Sequence, residues 1–250
     1  MQSPALGDIA PPRAECHHRG RRTVMTLLSP LDLVALIGFI AAWAGYAWLV
    51  EWTRHGGDSL NQRMDKYRET WMRRMLAREM RMVDMQIMAA LQNGTAFFAT
   101  TTIFAIGGTL SLLRATGEML SIASALPFGI QMTQSLWEAK AIGLTVIFVY
   151  AFFKFAWAYR VYNYVAIMLG AMPFAAEKDT PEAETHVVRT ARLFASAGRH
   201  FNRGQRAFFF ALGYLGWFVG PVIFMATTLA VVVVMWRRQF ASDSLRSVSA

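Results

Sequence analysis

The stretch LDLVALIGFIAAWAGYAWLV, residues 31–50, decides the architecture. Its only charge is Asp32, at the very start. A helix rises about 1.5 Å per residue, so about 20 apolar residues match a hydrocarbon core about 30 Å thick. The preceding residues account for the charge. Ser29-Pro30-Leu31-Asp32 reads as a capped start, with Ser29 at the N-cap, Pro30 at the first helical position and Asp32 reaching back from the third. Asp32 therefore reads as a cap. A proton-carrying role would require a carboxylate deeper in the bilayer.

Three further apolar runs lie downstream. Residues 95–113 are threaded with Thr100, Thr101, Thr102, Gly107, Gly108, Thr109 and Ser111, small and hydroxylic side chains that let membrane helices approach closely. A third run extends from about residue 139 to residue 172, which as helix would measure about 50 Å and outrun the hydrocarbon. It is expected to leave the membrane near Arg160 and to stop at Gly170 and Pro173. Lys154, six residues before Arg160, can then snorkel to the same surface; an ion or substrate role is the other reading. The fourth run, residues 207–236, carries Pro221 near its middle and reads as a span kinked there.

Composition agrees. Hydrophobic residues make up 55% of the 250 and charged residues 16%, against about 25% charged in soluble domains, which excludes both a disordered chain and a water-soluble globule. The reading is an all-α polytopic membrane protein with four transmembrane helices, at about 31–50, 95–113, 139–159 and 207–236. Two amphipathic cytoplasmic helices lie in the connectors 51–94 and 160–206, and residues 237–250 form a short tail. Residues 1–24, with Pro4, Pro11, Pro12 and four arginines but no apolar period, read as a disordered tail, or as untranslated if synthesis begins at Met25. Cys16 is the single cysteine, so no disulfide or thiolate cluster within the chain is expected, and Cys16-His17-His18 is not read as a metal site.

The net charge of +9 sorts by loop. Placing both connectors in the cytoplasm puts 15 Lys and Arg there and 8 on the other side, as the positive-inside rule favours. Both termini are then expected outside, in the periplasm if the membrane is a bacterial inner membrane. Nucleic-acid binding is not expected, because residues 51–84 hold 8 basic and 6 acidic side chains.

The connectors carry the candidate sites. Ser59-Leu60-Asn61-Gln62 starts a helix in which Leu60, Met64, Tyr67, Trp71 and Met75 form an apolar stripe at three- and four-residue spacing. Such a basic, Met-rich helix can lie on an anionic leaflet, dock on a partner or cover its own bundle. Thr180-Pro181-Glu182-Ala183-Glu184 starts another helix, with Val187, Ala191 and Phe194 on its apolar side. Beyond it, Arg199, Arg203 and Arg206 fall at i, i+4 and i+7, where guanidinium forks suit lipid phosphate; the alternative is a positive-inside anchor without a specific contact.

Arg160-Val-Tyr-Asn163-Tyr and Gly198-Arg-His-Phe-Asn-Arg-Gly204-Gln-Arg206-Ala-Phe-Phe-Phe resemble signature stretches of the "domain of unknown function 599" family of bacterial and plant membrane proteins. The resemblance covers about residues 31–236 and implies a four-span helical fold; it carries no catalytic residues. It draws attention to Arg160, Asn163, Arg199, Asn202, Arg203 and Arg206. The expectation is an integral inner-membrane protein, non-enzymatic, whose basic cytoplasmic face binds anionic lipid headgroups or a membrane-protein partner. Arg199, Arg203, Arg206 and Arg160 are the lipid-phosphate candidates, and Lys154, Asn163, Asn202 and His200 the polar pathway candidates. No catalytic residue, cofactor or metal is expected. The alternatives are a small homo-oligomeric transporter or channel for an anion and, more distantly, an enzyme acting on lipid.

Overall fold

The structure, a computed structural model, describes residues 28–52, 60–125, 132–241 and 247. The readings of Cys16, His17, His18, the Met25 start and the Ser59 cap fall outside these residues. Among the described residues the chain is helical, without a strand. The helices are α1 Pro30–Trp52, α2 Leu60–Leu76, α3 Met82–Arg114, α4 Thr116–Ala125, α5 Gln134–Gly170, α6 Pro181–Tyr214 and α7 Pro221–Phe240, with 3-10 turns at Ala175–Glu177 and Leu215–Phe218. Four of them, α1, α3, α5 and α7, are long and apolar enough to cross a membrane.

The start of α1 forms as its spacing requires. The Ser29 hydroxyl accepts the Asp32 backbone N–H at 3.1 Å, and the Asp32 carboxylate accepts the Ser29 N–H at 3.3 Å and its hydroxyl at 2.7 Å.

Helix α5 is the mast of the molecule, 37 residues or about 55 Å long. Helix α3 runs along one side of it, joined by Thr145 Oγ1 donating to Thr109 Oγ1 at 2.9 Å and by the Gln92 amide donating to Asn163 at 2.8 Å. Thr95, Thr102 and Thr109 are buried in this seam. Gly107 and Gly108 face open space instead, so among the described residues their small size serves no close approach. On the other side α6 runs antiparallel. A Cβ on Gly204 would sit 2.8 Å from the Phe155 ring, and His186 Nε2 lies 2.8 Å from the Met168 carbonyl.

These long rods tie two stacked cores together. In one, Phe39, Phe148, Phe210, Tyr214, Trp217 and Phe224 interlock between α1, α5, α6 and α7. In the other, Met72, Met75 and Leu76 of α2, Met88 of α3, Tyr162 and Val165 of α5, and Val187, Ala191 and Phe194 of α6 close a second four-helix layer. The buried side of α2 is turned relative to the expected stripe, and Tyr67 is 53% exposed. The reason is that Asp65 and Arg68 are drawn toward α6, with Arg68 stacked over Phe194. Arg81 pins the α2–α3 turn to the end of α5 by donating to the carbonyls of Met172 at 2.9 Å and Pro173 at 2.6 Å.

The expected fourth span, residues 207–236 as one kinked helix, is corrected. Residues 207–214 belong to α6, which runs unbroken from Pro181; the chain then turns through Leu215–Phe218, and Pro221 opens a new helix. Proline at the first position costs no hydrogen bond, because that N–H has no helical partner in any case. The hairpin closes because two glycines leave room for it. A Cβ on Gly216 would meet Thr227 Oγ1 at 2.3 Å, and one on Gly213 would meet Val231 at 3.3 Å. Thr227 Oγ1 occupies this gap and donates to the Gly213 carbonyl at 2.7 Å.

This reversal puts the start of α1 and the end of α7 at opposite ends of the first core. The tail of α6 is a further rod through the first core. The start of α1 therefore lies with Trp217, whereas the end of α7 lies with the connectors, Tyr46 donating to the Met235 carbonyl at 3.1 Å and Arg238 stacking over Phe209.

Candidate functional site

Where the two cores meet, the end of α1, the start of α2, the middle of α6 and the end of α7 surround a polar cleft. It has a larger part of about 490 Å³, lined by Glu51, Asn61, Asp65, Lys66, Arg199 and Arg203 among others. Asn202 and Arg206 line this part and also a smaller one of about 180 Å³, which reaches Tyr46, Arg238 and Gln239. The helical spacing of Arg199, Arg203 and Arg206 puts all three on the cleft wall, as residues one and two turns apart share a helix face.

Their surroundings differ. Arg199 is half exposed and lies 3.7 Å from Asp65. Arg203 holds Glu51 with two prongs, Nε to Oε1 at 3.1 Å and Nη2 to Oε2 at 2.7 Å. Arg206, whose side chain is only 9% exposed, bonds to the same Oε1. Hydrogen bonds between ionised partners are the strong ones, and the fork geometry fixes orientation as well. Counting only side chains that line the cleft, Lys66, Arg199, Arg203, Arg206 and Arg238 face Glu51 and Asp65, so the cavity keeps a positive excess. The amides of Asn61, Gln62, Asn202, Gln205 and Gln239 add neutral donors and acceptors.

The other candidates lie elsewhere. His200 turns toward Trp157, with ring centroids 6.3 Å apart. Burial first, and then the cations Arg203, Lys154 and Arg199, hold its imidazole below the usual histidine range. Lys154 lies over the Tyr150 ring. Arg160 points outward and donates to Tyr164 Oη at 2.7 Å. Asn163 is engaged with Gln92 in the α3–α5 seam. Of the eight candidates, Arg199, Asn202, Arg203 and Arg206 share the cleft; Arg160, Asn163, Lys154 and His200 do not line it.

Sequence reasoning missed two features. Glu51 reads along the chain only as the first charge after an apolar run, and nothing local shows that it meets arginines 152 and 155 residues away. The second is a buried cluster at the opposite end of the first core. Lys140, 2% exposed, donates to the Trp217 carbonyl at 2.8 Å and sits 3.9 Å from Asp32. The Trp217 indole N–H donates to the same Asp32 oxygen at 2.6 Å. The N-terminal cap of α1 is thus also the anchor for α5 and the α6–α7 turn. The signal that could have exposed it is the pair itself, one acid and one amine at the same edge of two spans.

Among the described residues no three His, Cys, Asp or Glu side chains gather where they could hold a metal ion. A helical bundle with four helices long and apolar enough to cross a membrane defines a multi-pass membrane protein. The chain belongs to the family described as "Protein of unknown function, DUF599", whose model matches residues 34–244. No curated protein and no solved structure matches it.

Proposed function

We propose that the protein is a non-enzymatic integral membrane protein of a bacterial inner membrane, and that its basic cleft holds the anionic headgroup of a membrane lipid. The observation that carries this reading is the convergence of Arg199, Arg203 and Arg206, with Lys66 and five amide side chains, on one open cleft at the boundary between the two cores. Guanidinium groups match phosphate oxygens in pairs, and a basic pocket between membrane helices on the cytoplasmic side suits a phospholipid headgroup. An anion channel fits less well. From Arg206 toward Lys140 the space between helices is filled by Phe39, Phe210, Tyr214 and Phe224, all buried, with Phe210 stacked on Trp43.

Protein purified from membranes is expected to retain phosphatidylglycerol in native mass spectrometry. Changing Arg199, Arg203 and Arg206 together to alanine should weaken that retention about 100-fold, at about 1 kcal/mol for each basic group. Equal retention by the triple variant would sink the lipid reading.

The orientation that goes with it places both connectors and the end of α7 in the cytoplasm. Arg237 and Arg238, in the last turn of α7, then join the basic side, as the positive-inside rule prefers. Cysteine labelling of whole cells should reach a substitution at Ser124 but not one at Lys66 or Gln239; labelling of Gln239→Cys together with Ser124→Cys would contradict it.

A further inference from the structure

Glu51 occupies the guanidinium edges that a phosphate would use. Arg203 presents Nε and Nη2 side by side, and both face the Glu51 carboxylate, at 3.1 Å and 2.7 Å. Arg206, which lines the cleft with a side chain only 9% exposed, adds a third bond to the same group. Two non-bridging phosphate oxygens offer the same spaced pair of acceptors as a carboxylate, so one group can replace the other on the fork. We infer that Glu51 is an internal stand-in for the ligand: a monoanionic phosphate group enters the cleft by displacing this carboxylate from Arg203 and Arg206. The inference rests on the headgroup reading above and specifies how that site is regulated.

The geometry supplies a path and a charge balance. Arg199 is 53% exposed and has Asp65 only at 3.7 Å, and Lys66 is exposed on the same wall; these two meet an incoming anion first. The exchange that follows is charge for charge. One carboxylate leaves two guanidinium groups and one phosphodiester monoanion arrives, so the enclosed Arg206 is never left without a counter-ion, a state that is strongly unfavourable. A dianion would bring in one negative charge more than it releases. The released carboxylate has somewhere to go, because the Glu51 side chain is already 24% exposed in the last turn of α1. Occupancy of the cleft is therefore linked to the hold of α6 on the end of α1. An empty site is clasped by Glu51, and a filled site lets that end of α1 go.

The test compares the wild-type protein, Glu51→Gln and Arg203→Ala in detergent, with three probes: short-chain phosphatidylglycerol, phosphatidylcholine of the same chain length, and inorganic phosphate. The amide of Glu51→Gln keeps the shape but removes the charge that competes. Its affinity for phosphatidylglycerol should rise about tenfold, the value of one charge-assisted hydrogen bond. Phosphatidylcholine should gain little, and the unfolding temperature without lipid should fall, because the arginines lose their counter-ion. Tighter binding together with lower stability is a combination that a purely structural Glu51 would not give. Glu51→Asp, one methylene too short to span both arginines, should show a smaller gain and serves if the glutamine variant is poorly folded. A rise for inorganic phosphate without a rise for phosphatidylglycerol would identify a free anion as the source and overturn the lipid. If Arg203→Ala weakens phosphatidylglycerol binding while Glu51→Gln leaves it unchanged or weaker, the stand-in is wrong and the headgroup site survives. If neither variant changes binding, both fall.

Discussion

Replacing Lys140 with alanine is expected to lower the unfolding free energy by about 3–5 kcal/mol, the cost of removing one partner from a buried ion pair. The amine holds three things at once: the Trp217 carbonyl at 2.8 Å, the Asp32 carboxylate at 3.9 Å and the face of the Trp217 ring at 5.1 Å. Without it, Asp32 stays buried with only Ser29 and the Trp217 indole N–H as partners, and a carbonyl in the turn between α6 and α7 loses its donor. Lys140→Met separates the contributions. It restores most of the volume but none of the charge, so it should recover only the cavity part of the loss. Unfolding followed by tryptophan fluorescence reports directly, since Trp217 sits in the cluster. A Lys140→Ala protein within about 1 kcal/mol of the wild type would show that the cluster carries little stability; an exposed or loosely held pair is worth no more than that.

Phe194→Ala should cost a similar amount, about 3–5 kcal/mol, for a different reason. Its ring is 1% exposed. It meets Trp71 and Tyr162 edge to face, at 5.4 and 5.9 Å between centroids, and carries the Arg68 guanidinium over its face. This residue belongs to the core built from the connector helices, which in the proposed orientation stands in water, so truncation loses hydrophobic transfer energy as well as contact. Phe210→Ala is the informative comparison. Phe210 is just as buried, but in the proposed orientation its end of α6 lies among the spans, where lipid tails replace the lost neighbours after the bundle separates and only packing is lost. The phenylalanine in the connector core should therefore be the costlier of the two. Hydrogen exchange provides the local check: Phe194→Ala should raise exchange in residues 60–76 and 181–197 while α1 and α7 stay protected. Uniform exchange across the chain would show that the two cores unfold as one.

The parts of the fold legible in the sequence are those set by local physics. The start of α1 follows from Ser29 and Asp32, which touch within one turn, and hydropathy alone marks out α1, α3 and α5. The α6–α7 turn was hidden because Leu215-Gly-Trp-Phe is as apolar as the helices it joins, and a proline in such a run reads equally as a kink or as a first helical residue. The stripe on α2 was misplaced for a related reason. The apolar side of this helix is broad, and within it the contact of Arg68 with Phe194 turns the buried edge toward Met72, Met75 and Leu76. The cleft was half legible. Three arginines at helical spacing are visible on paper, whereas the carboxylate that meets them lies on another span.

Helix α6 runs without a break through 34 residues, from the layer around Phe194, past the cleft at Arg203, to the turn at Trp217. It lies close against α5 at Gly204, where the Phe155 ring leaves no room for a Cβ. From Gly204 the helix extends about 35 Å back to Pro181 and about 15 Å on to Tyr214. The cleft arginines are therefore carried on the same unbroken rod that joins the Phe194 layer to the turn at Trp217.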